Sequence, residues 1–440
     1  MNELNCFVEG RTYERTYNKV EIPEYFIKKG YFKEISNSPD SSENKYVLKV
    51  CGIANLGQEN YVFFPKGYRH EDFKECYNKN TARLLFQAFL KYISNSRFKE
   101  EELDWLGEEN NEIRHLNTIT WLINDYLANG FYKVSERIME ENGKGRIEWA
   151  KTIKSKVPYF IEKKFLYLDL LTSKNNVNLN HIISKIHEKV IIECIDEFGW
   201  LFKLKPSGKK INLDISKERQ IIILEKRLRE INVAHEIRLI QSLIAYLKET
   251  IDEDPDFIFV TPHFWSIWED ILQFIFEHDE SINKLVPKPY WKFAHGKKHS
   301  TMIPDILVKH KDSLIILDAK YYSIETEDVN KFPGWESVVK QLYYSLALKN
   351  IFDDVNNDNI KNIFLLPQSL DKESKNKFKY VGHTGVEGKE KELGIVHAFS
   401  LDIRAVLNDY VLNKTNKAMF KKIINIVDDK NQDMLKVEFK

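Results

Sequence analysis

The spacing of apolar side chains changes along the chain. Over the first 75 residues short apolar runs alternate with turn residues, and Lys45–Ala54 and Tyr61–Phe64 around Asn55-Leu56-Gly57 predict a β-hairpin. From Asn80 onward the apolar positions recur at helical spacing. Ile221–Leu247 predicts one long amphipathic helix, because its apolar residues fall mostly on one face. The pattern therefore indicates a β-rich start followed by a mostly helical stretch.

A third pattern follows an acid-rich stretch that ends at Pro262 and has the composition of a linker, which predicts a domain boundary near residue 251. Beyond it, helical and strand-like segments alternate, with helices at His263–Glu280 and Trp335–Lys349 and strands at Ile303–Lys309, Leu314–Tyr321, Asn362–Leu366, Phe378–His383 and Gly394–Phe399. This alternation predicts a mixed α/β fold with a central mixed sheet flanked by helices.

Three domains are predicted from these patterns. Residues 1–75 form a β-rich region that contacts DNA or a partner, residues 76–250 a mostly helical domain with basic stretches, and residues 251–440 the mixed-sheet domain.

Composition narrows the class of protein. Hydrophobic residues make up 43% and charged residues 30%, which are globular values and exclude wholesale disorder. The four cysteines lie far apart without a C-x-x-C pair, so neither a disulfide framework nor a structural zinc site is expected. No uncharged apolar run approaches the roughly 18 residues that span a bilayer, and the first residues lack the pattern of a signal peptide. We expect a soluble cytoplasmic protein without a membrane partner.

The charges sum to zero, with 66 Lys+Arg against 66 Asp+Glu, but this is a weak argument against nucleic acid because local patches bind phosphate. Basic residues are in excess at Gly143–Lys164, at Leu201–Thr250 and at Pro287–Lys320. No arginine occurs between Arg238 and Arg404, so lysines would contact phosphate in the C-terminal region. This favours contact with the DNA backbone over base reading there.

Two aspartates and a lysine carry the candidate chemistry. If Lys309 pairs with Leu314 across a four-residue turn, Asp305 lies opposite Asp318, with Cβ atoms about 5 Å apart. Two carboxylates at that separation repel unless a cation lies between them, and Mg²⁺ prefers such oxygen ligands. Strand alternation places Lys320 on the same face as Asp318. The alternative is that both aspartates only cap strand ends, but Asp is disfavoured inside so apolar a strand.

The segment before the first of these strands is rich in lysines and aromatics. His295-x-x-x-His299 has metal-like spacing but lies in a predicted loop without a third ligand, so phosphate contacts by Lys297 and Lys298 are the better interpretation. Tyr290, Trp291 and Phe293 interleave with Lys288 and Lys292, as a surface that follows the DNA backbone requires. Packing of these aromatics in the core is the more common explanation.

These residues resemble the PD-(D/E)xK nuclease superfamily, with Pro304-Asp305 as the first half of the motif and Asp318-Ala319-Lys320 as the second. Glu269 stands where the superfamily often carries an acidic residue near the metal. Gln341 and Tyr344 resemble its Q-x-x-x-Y element with a spacing one residue shorter. Within the superfamily the chain looks like the LlaJI-type restriction endonucleases, relatives of McrC, chiefly over residues 260–400, and Phe63–Tyr68 resembles an N-terminal element of that group.

The resemblance implies a division of roles. Mg²⁺, with Mn²⁺ as a substitute, would be bound by Asp305, Asp318, Glu269 and the Ala319 carbonyl. Lys320 would position or deprotonate the attacking water, and Gln341 would orient Lys320 or contact the backbone. Tyr344, with Lys292, Lys297 and Lys298, would contact DNA.

The expected function is that of a Mg²⁺-dependent endonuclease subunit in a restriction or anti-phage system, acting on double-stranded DNA. An McrB-like AAA+ GTPase would work with it, since this chain has no G-x-x-x-x-G-K-[ST] motif. A homodimer would serve double-strand cleavage. Two alternatives stay open, namely a self-contained type II-like restriction endonuclease that recognises its own site, and a DNA-binding or scaffold subunit with a degenerate nuclease fold.

Overall fold

The computed structural model describes residues 4–17, 20–35, 44–56, 59–69, 77–94, 111–161, 163–178, 181–250, 257–299, 303–324, 329–349, 351, 359–370 and 377–438. The chain divides into two compact units. The large unit combines Met1–Asn110 with Asp256–Lys440, and the small unit is Asn111–Pro255. This division differs from the predicted three domains because the β-rich N-terminal region belongs to the same unit as the mixed-sheet region. The predicted boundary near residue 251 lies outside the described residues.

A four-stranded sheet joins the two ends of the large unit. Its strands lie in the order Leu4–Val8, Glu59–Phe64, Cys51–Leu56 and Phe257–Thr261. The predicted hairpin of residues 51–64 is confirmed, although Gly57 of its turn lies outside the described residues. Over Phe257–Thr261 the interpretation as a linker was wrong, because these residues form a strand that pairs with residues 51–55. At Gly52, where φ is +149°, an added Cβ would lie 2.1 Å from the Phe259 carbonyl oxygen, so this pairing requires glycine.

Smaller elements cover one side of this sheet. The predicted strand Lys45–Ala54 is two strands in different sheets, since Lys45–Leu48 pairs with Thr12–Glu14 and Phe32–Ile35. The other elements here are the strand pair Thr16–Tyr17 and Val20–Glu21 and the helix Glu24–Lys28. Buried aromatic side chains fill the space between these elements, namely Phe7, Tyr13, Phe26, Phe32, Tyr61 and Phe63. This aromatic core fixes the N-terminal region as an ordered part of the large unit.

The C-terminal part of the large unit is built on a five-stranded mixed sheet, in the order Ile306–His310, Ser313–Ala319, Ile360–Gln368, Val396–Asp402 and Phe378–Thr384. The two outer pairings are antiparallel and the two inner ones parallel. All five predicted strands are confirmed to within a few residues, and so is the mixed α/β class. Besides Glu24–Lys28, the described helices of the large unit are Tyr77–Ser94, Phe264–Ile275, Glu280–Asn283, Trp335–Leu348, Glu390–Leu393, Ile403–Val411 and Lys417–Glu438, with a 3₁₀ turn at Val329–Lys331.

Strand alternation decides which helix covers each face of this sheet. Leu314 and Ile316 pack with Tyr344 of helix Trp335–Leu348. Helix Phe264–Ile275 packs against the same strand and is tied to the sheet by the Trp268 indole, whose Nε1 donates to the Leu365 carbonyl at 3.5 Å. Asp318 continues the Leu314–Ile316 face at the end of the strand. The aspartate hairpin, Ile306–His310 with Ser313–Ala319, is therefore held by both helices that carry the remaining candidate site residues.

The small unit is mostly helical. Its helices are Asn111–Asn129, Trp149–Ser155, Ile182–Phe198, Lys217–Leu228 and Ala234–Glu249, with a 3₁₀ turn at Gly199–Phe202. A three-stranded sheet has the order Arg146–Ile147, Leu171–Asn178 and Val134–Glu141, and Tyr159–Ile161 pairs with Lys164–Leu166. The prediction of one helix over Ile221–Leu247 was wrong. Its apolar period continues through the loop at 229–233, where Ile231 is buried, so periodicity alone did not reveal the turn.

None of the helices in the described ranges is long and apolar enough to cross a membrane.

Candidate active site

The register of the aspartate hairpin is the one predicted. Lys309 pairs with Leu314, and the last pair toward the site is Ile306 with Leu317. One step further, Asp305 lies opposite Asp318, and its Oδ2 accepts a hydrogen bond of 2.9 Å from the Ala319 amide. Asp318 is only 2% exposed. The two carboxyl groups therefore meet at one end of the sheet, with one of them sealed from solvent.

Burial and like charge act together on this pair. The pKa of Asp305 is raised well above its usual range, first by burial, then by the charge of Asp318 and a hydrogen bond with its carboxyl, and then by the charge of Glu269. Burial also raises the pKa of Tyr344, and the charges of Asp318, Asp305 and Glu269 add to that effect. Three carboxyl groups thus share one field, and a proton or a cation is needed to keep the two aspartates together.

Lys320 supplies one positive charge at this place. Its Nζ lies 2.6 Å from Asp318 Oδ2, and its side chain is 15% exposed. Its backbone amide donates to the Leu365 carbonyl at 2.9 Å, which continues the pairing with the next strand. The predicted common face of Asp318 and Lys320 is confirmed. Because the ammonium reaches only Oδ2, Asp318 Oδ1 is buried without a hydrogen-bond partner among the described residues.

Glu269 is connected to the aspartates through a residue that the sequence did not reveal. Gln273 Nε2 donates to Glu269 Oε1 at 3.2 Å and to the backbone carbonyl of Asp305 at 3.0 Å. Both residues belong to helix Phe264–Ile275 and are four positions apart, which places them on one face. That spacing was the available signal for Gln273. The amide holds the Glu269 carboxylate next to the strand that begins after Asp305.

Gln341 and Tyr344 lie on the buried face of helix Trp335–Leu348. Gln341 Nε2 donates to the Ile316 carbonyl of the protein's own strand at 3.1 Å, and its two predicted roles stay predictions. The Tyr344 hydroxyl donates to the Ile303 carbonyl at 3.0 Å, and its ring is fully buried. These bonds hold the strand before Asp318 and the segment before Asp305. A DNA contact by Tyr344 stays a prediction.

The donor set fits a hard divalent cation with few protein ligands. Asp305 and Asp318 offer carboxylate oxygens, and the Oδ1 of Asp318 is buried and unsatisfied. No group of three His, Cys, Asp or Glu side chains within the described ranges is arranged to hold a metal. Mg²⁺ matches such a set, since it usually keeps several waters and takes one or two carboxylates.

A second hairpin, named here the lysine hairpin, pairs Tyr290–Phe293 with Gly296–His299. Lys292 lies opposite Lys297, and Trp291 opposite Lys298. All residues of both strands are exposed, Trp291 by 72%, so the more common explanation of core packing was wrong. The predicted loop at His295–His299 was also wrong, because Gly296–His299 is a strand of this two-stranded ribbon. Lys297 Nζ lies 4.3 Å from the centroid of the Tyr290 ring.

A cavity of about 620 Å³ adjoins the site and is lined by Ala319 and Lys320 from the strand end. Its other walls include Glu9, Arg11, Lys66 and Trp265. Sequence reasoning did not identify these as site residues, because most lie more than 200 positions away in the chain. The one signal was Lys66 in the Phe63–Tyr68 segment.

Comparison with known proteins gives the family. A family model described as LlaJI restriction endonuclease matches residues 50–404, which is most of the chain. The chain belongs to the LlaJI restriction endonuclease family. The matched range contains the aspartate hairpin, the lysine hairpin and Gln341, whereas Glu9 and Arg11 precede it. The predicted LlaJI family membership is thereby confirmed.

Individual relatives are more distant. The chain is 25% identical over 401 residues to the type II restriction enzyme BsuMI component YdjA of Bacillus subtilis (strain 168), covering 86% of this chain and 83% of that protein. One similar solved structure is the half-complex from the tetradecameric assembly of Thermococcus gammatolerans McrB AAA+ hexamers with bound McrC. A chain in it is 11% identical with a TM-score of 0.39, and the match covers 93% of this chain and 99% of that chain. A chain of the T. gammatolerans McrBC complex gives a TM-score of 0.25 at 12% identity, with coverage of 56% and 80%.

Proposed function

We propose that this LlaJI-family chain is a Mg²⁺-dependent DNA endonuclease of a restriction system, with a PD-(D/E)xK centre formed by Asp305, Asp318 and Lys320. One observation carries the proposal. Two opposed, shielded carboxyl groups, one with an unsatisfied buried oxygen, meet a lysine 2.6 Å away at a sheet end. Such an arrangement is costly to bury without a function or a cation.

The residues of the chain divide the work of phosphodiester hydrolysis. When bound, Mg²⁺ supplies Lewis-acid polarisation of the phosphate. Asp305 and Asp318 with the Ala319 carbonyl hold the ion, and Mn²⁺ would substitute for it. Lys320 positions the attacking water and offsets the negative charge that grows on the phosphate. Because its ammonium is already at the Asp318 carboxylate, little rearrangement is needed to present it.

The neighbouring residues act by positioning these groups. Gln273 links Glu269 to the Asp305 backbone, and we assign Glu269 the role of holding a water beside the aspartate pair. Gln341 and Tyr344 fix the backbone at Ile316 and Ile303. We therefore assign both Gln341 and Tyr344 a positioning role. The predicted DNA contact of Tyr344 would be additional to it.

The lysine hairpin supplies a surface for the DNA backbone. Lys292, Lys297 and Lys298 lie on an exposed ribbon whose Trp291 and Phe293 rings have centroids 6.5 Å apart and interplanar angle 26°. Cations interleaved with exposed aromatic faces suit phosphates and unstacked bases. Double-stranded DNA is the proposed substrate.

A protein partner is part of the proposal. The B. subtilis relative is named as a component of a restriction enzyme, and this sequence has no nucleotide-binding P-loop motif. In the small unit the hairpin of Tyr159–Ile161 and Lys164–Leu166 exposes apolar side chains, with Phe160 at 66% and Phe165 at 70%. Exposed apolar patches of this kind are typical of protein interaction sites. We propose an McrB-like AAA+ GTPase as the partner, in line with the McrC resemblance of the sequence.

The proposal is tested by plasmid cleavage with the purified chain in Mg²⁺, in Mn²⁺ and in EDTA, each with and without GTP and the AAA+ protein. We expect cleavage only with a divalent cation, and loss of at least 100-fold of the rate on Lys320→Gln, on the order of one charge-stabilising group. Cleavage by the chain alone would favour the self-contained alternative. DNA binding without cleavage in every condition would favour the scaffold alternative and refute the proposal.

A further inference from the structure

The cavity beside the aspartate hairpin is built by both ends of the large unit. Its volume is about 620 Å³, within the range of small-molecule sites. Glu9, Arg11 and Lys66 come from the N-terminal sheet, whereas Trp265, Lys320 and Lys331 come from the region that carries the aspartates. The cavity therefore exists only when the two parts are folded together.

Positive charge predominates in this cavity. Its described lining contains four cationic side chains, Arg11, Lys66, Lys320 and Lys331, against the single carboxylate of Glu9. Glu9 is buried and already engaged, because the Tyr321 hydroxyl donates to its Oε2 at 2.6 Å and Lys66 Nζ lies 3.8 Å from its Oε1. Lys320 is likewise paired, with Asp318. The lining still carries more cationic than acidic side chains, which favours an anion.

Hydrogen bonds of the main chain hold the lining residue Lys66 and the adjacent Gly67 in place. The Lys66 amide donates to the Tyr321 hydroxyl at 2.8 Å, and the Gly67 carbonyl accepts from the Ser369 amide at 2.7 Å. Gly67 has φ of +97°, and a Cβ there would lie 2.7 Å from the Pro367 carbonyl oxygen, so the turn fits closely against the mixed sheet. A site whose groups are fixed before binding loses less entropy when it is occupied.

Two features indicate which class of ligand the cavity binds. Trp265 and Tyr322 line the cavity, and these residues are 43% and 38% exposed to solvent. Lys320 lines the cavity and also contacts Asp318, so an occupant would lie next to the aspartate pair. Phosphate-binding cations combined with an exposed aromatic face match one nucleotide of a strand.

We propose that this cavity binds a single nucleotide of the DNA strand that is cut, adjacent to the scissile phosphate, with its phosphate at Lys66 and Lys331 and its base against Trp265. The inference rests on the proposed function. The nucleotide is located next to the scissile phosphate because Lys320 lines the cavity and also contacts Asp318. It makes the N-terminal region part of the substrate site.

The test measures DNA binding separately from cleavage. Anisotropy of a fluorescein-labelled single-stranded oligonucleotide is followed in EDTA over a salt series, with the full-length chain. Lys66→Gln and Lys331→Gln should each weaken binding and reduce the slope of log K against log[salt] by about 0.7. Trp265→Leu should weaken binding roughly fivefold or more without changing the slope, and Trp265→Phe should keep most of the affinity. Lys389→Gln, at an exposed ion pair with Glu392, is the control.

Three outcomes would overturn the inference. One is unchanged affinity and slope in Lys66→Gln, Lys331→Gln and Trp265→Leu, and another is the absence of DNA binding even at low salt. The third is loss of dAMP binding in these variants with DNA binding intact, which would make the cavity a free-nucleotide site. Circular dichroism melts show whether each variant is folded. If the cavity variants bind DNA normally but cleavage still depends on Asp318, the cavity inference fails and the proposed function stands. The two failures are therefore distinguishable.

Discussion

Glu9 offers a quantitative test of the cavity's structure. Its carboxyl is buried in the large unit, and burial raises its pKa from 4.5 to about 7, even though the Lys66 charge and the Tyr321 hydrogen bond oppose the rise. The perturbation is Glu9→Gln, which keeps the shape and an acceptor for Tyr321 but removes the titration.

The magnitude follows from the two pKa values. Between pH 4.5 and about 7 the folded state keeps a proton that the unfolded state has released. The wild type is therefore stabilised as pH falls through this window, and the stabilisation is lost as pH rises through the folded-state pKa. The full difference is about 3 kcal/mol, of which about 2–3 kcal/mol falls between pH 8 and pH 5. Glu9→Gln should be relatively most stable at pH 8, and its advantage should shrink on acidification.

Urea unfolding followed by tryptophan fluorescence at pH 5, 6, 7 and 8 measures this difference. Glu14→Gln, at an exposed carboxylate of strand Thr12–Glu14, is the matched control and should change stability by less than about 0.5 kcal/mol. A difference between wild type and Glu9→Gln that is constant over this pH range would refute the reasoning, since a buried titrating carboxyl cannot give a flat profile.

Three other predictions concern the fold and the metal. Gly67→Ala should lower the unfolding free energy by about 1–3 kcal/mol, because Gly67 has a positive φ and an added Cβ would lie 2.7 Å from a main-chain oxygen. Gly30→Ala, at a position with open space, should lower it less in the same thermal melts. Burial lowers the pKa of His187 to about 4, so the unfolding free energy of the small unit should decrease by up to about 3 kcal/mol as pH falls from 6.5 to 4. Acid-dependent unfolding measures this decrease, and the contribution of His187 should be absent in His187→Gln. Mg²⁺ at about 100 times its dissociation constant should stabilise the wild type by about 2.7 kcal/mol in calorimetry, and an equal effect in Asp305→Asn would contradict the ligand assignment.

The aspartate hairpin could be predicted because all its determinants are local. Two apolar strands with a short polar turn between them have one register that pairs Lys309 with Leu314, and that register brings Asp305 to Asp318. The same locality explains the five strands of the mixed sheet. The four-residue spacing between Glu269 and Gln273 places them on one helix face. The sequence does not show, however, that Gln273 also contacts the Asp305 carbonyl, which is what makes it part of the site.

The features that sequence reasoning missed depend on long-range contacts or on which side meets solvent. Tyr321 and Glu9 are 312 positions apart, and nothing near either residue indicates the other. Three of the four residues of strand Tyr290–Phe293 are aromatic, a composition that a buried strand also has, so the sequence alone could not tell an exposed ribbon from core. Phe257–Thr261 was obscured by the acidic residues before it, although its own residues are apolar.

The proposed function requires the Asp318 carboxylate for DNA cleavage by this chain. Single-turnover cleavage in Mg²⁺ compares wild type, Asp318→Asn and Asp312→Asn, the last a control in the turn of the same hairpin whose carboxylate accepts from Asn359. We predict no detectable cleavage by Asp318→Asn, with DNA binding and melting temperature retained, and wild-type cleavage by Asp312→Asn. Mg²⁺-dependent cleavage by Asp318→Asn at the wild-type rate would contradict the account.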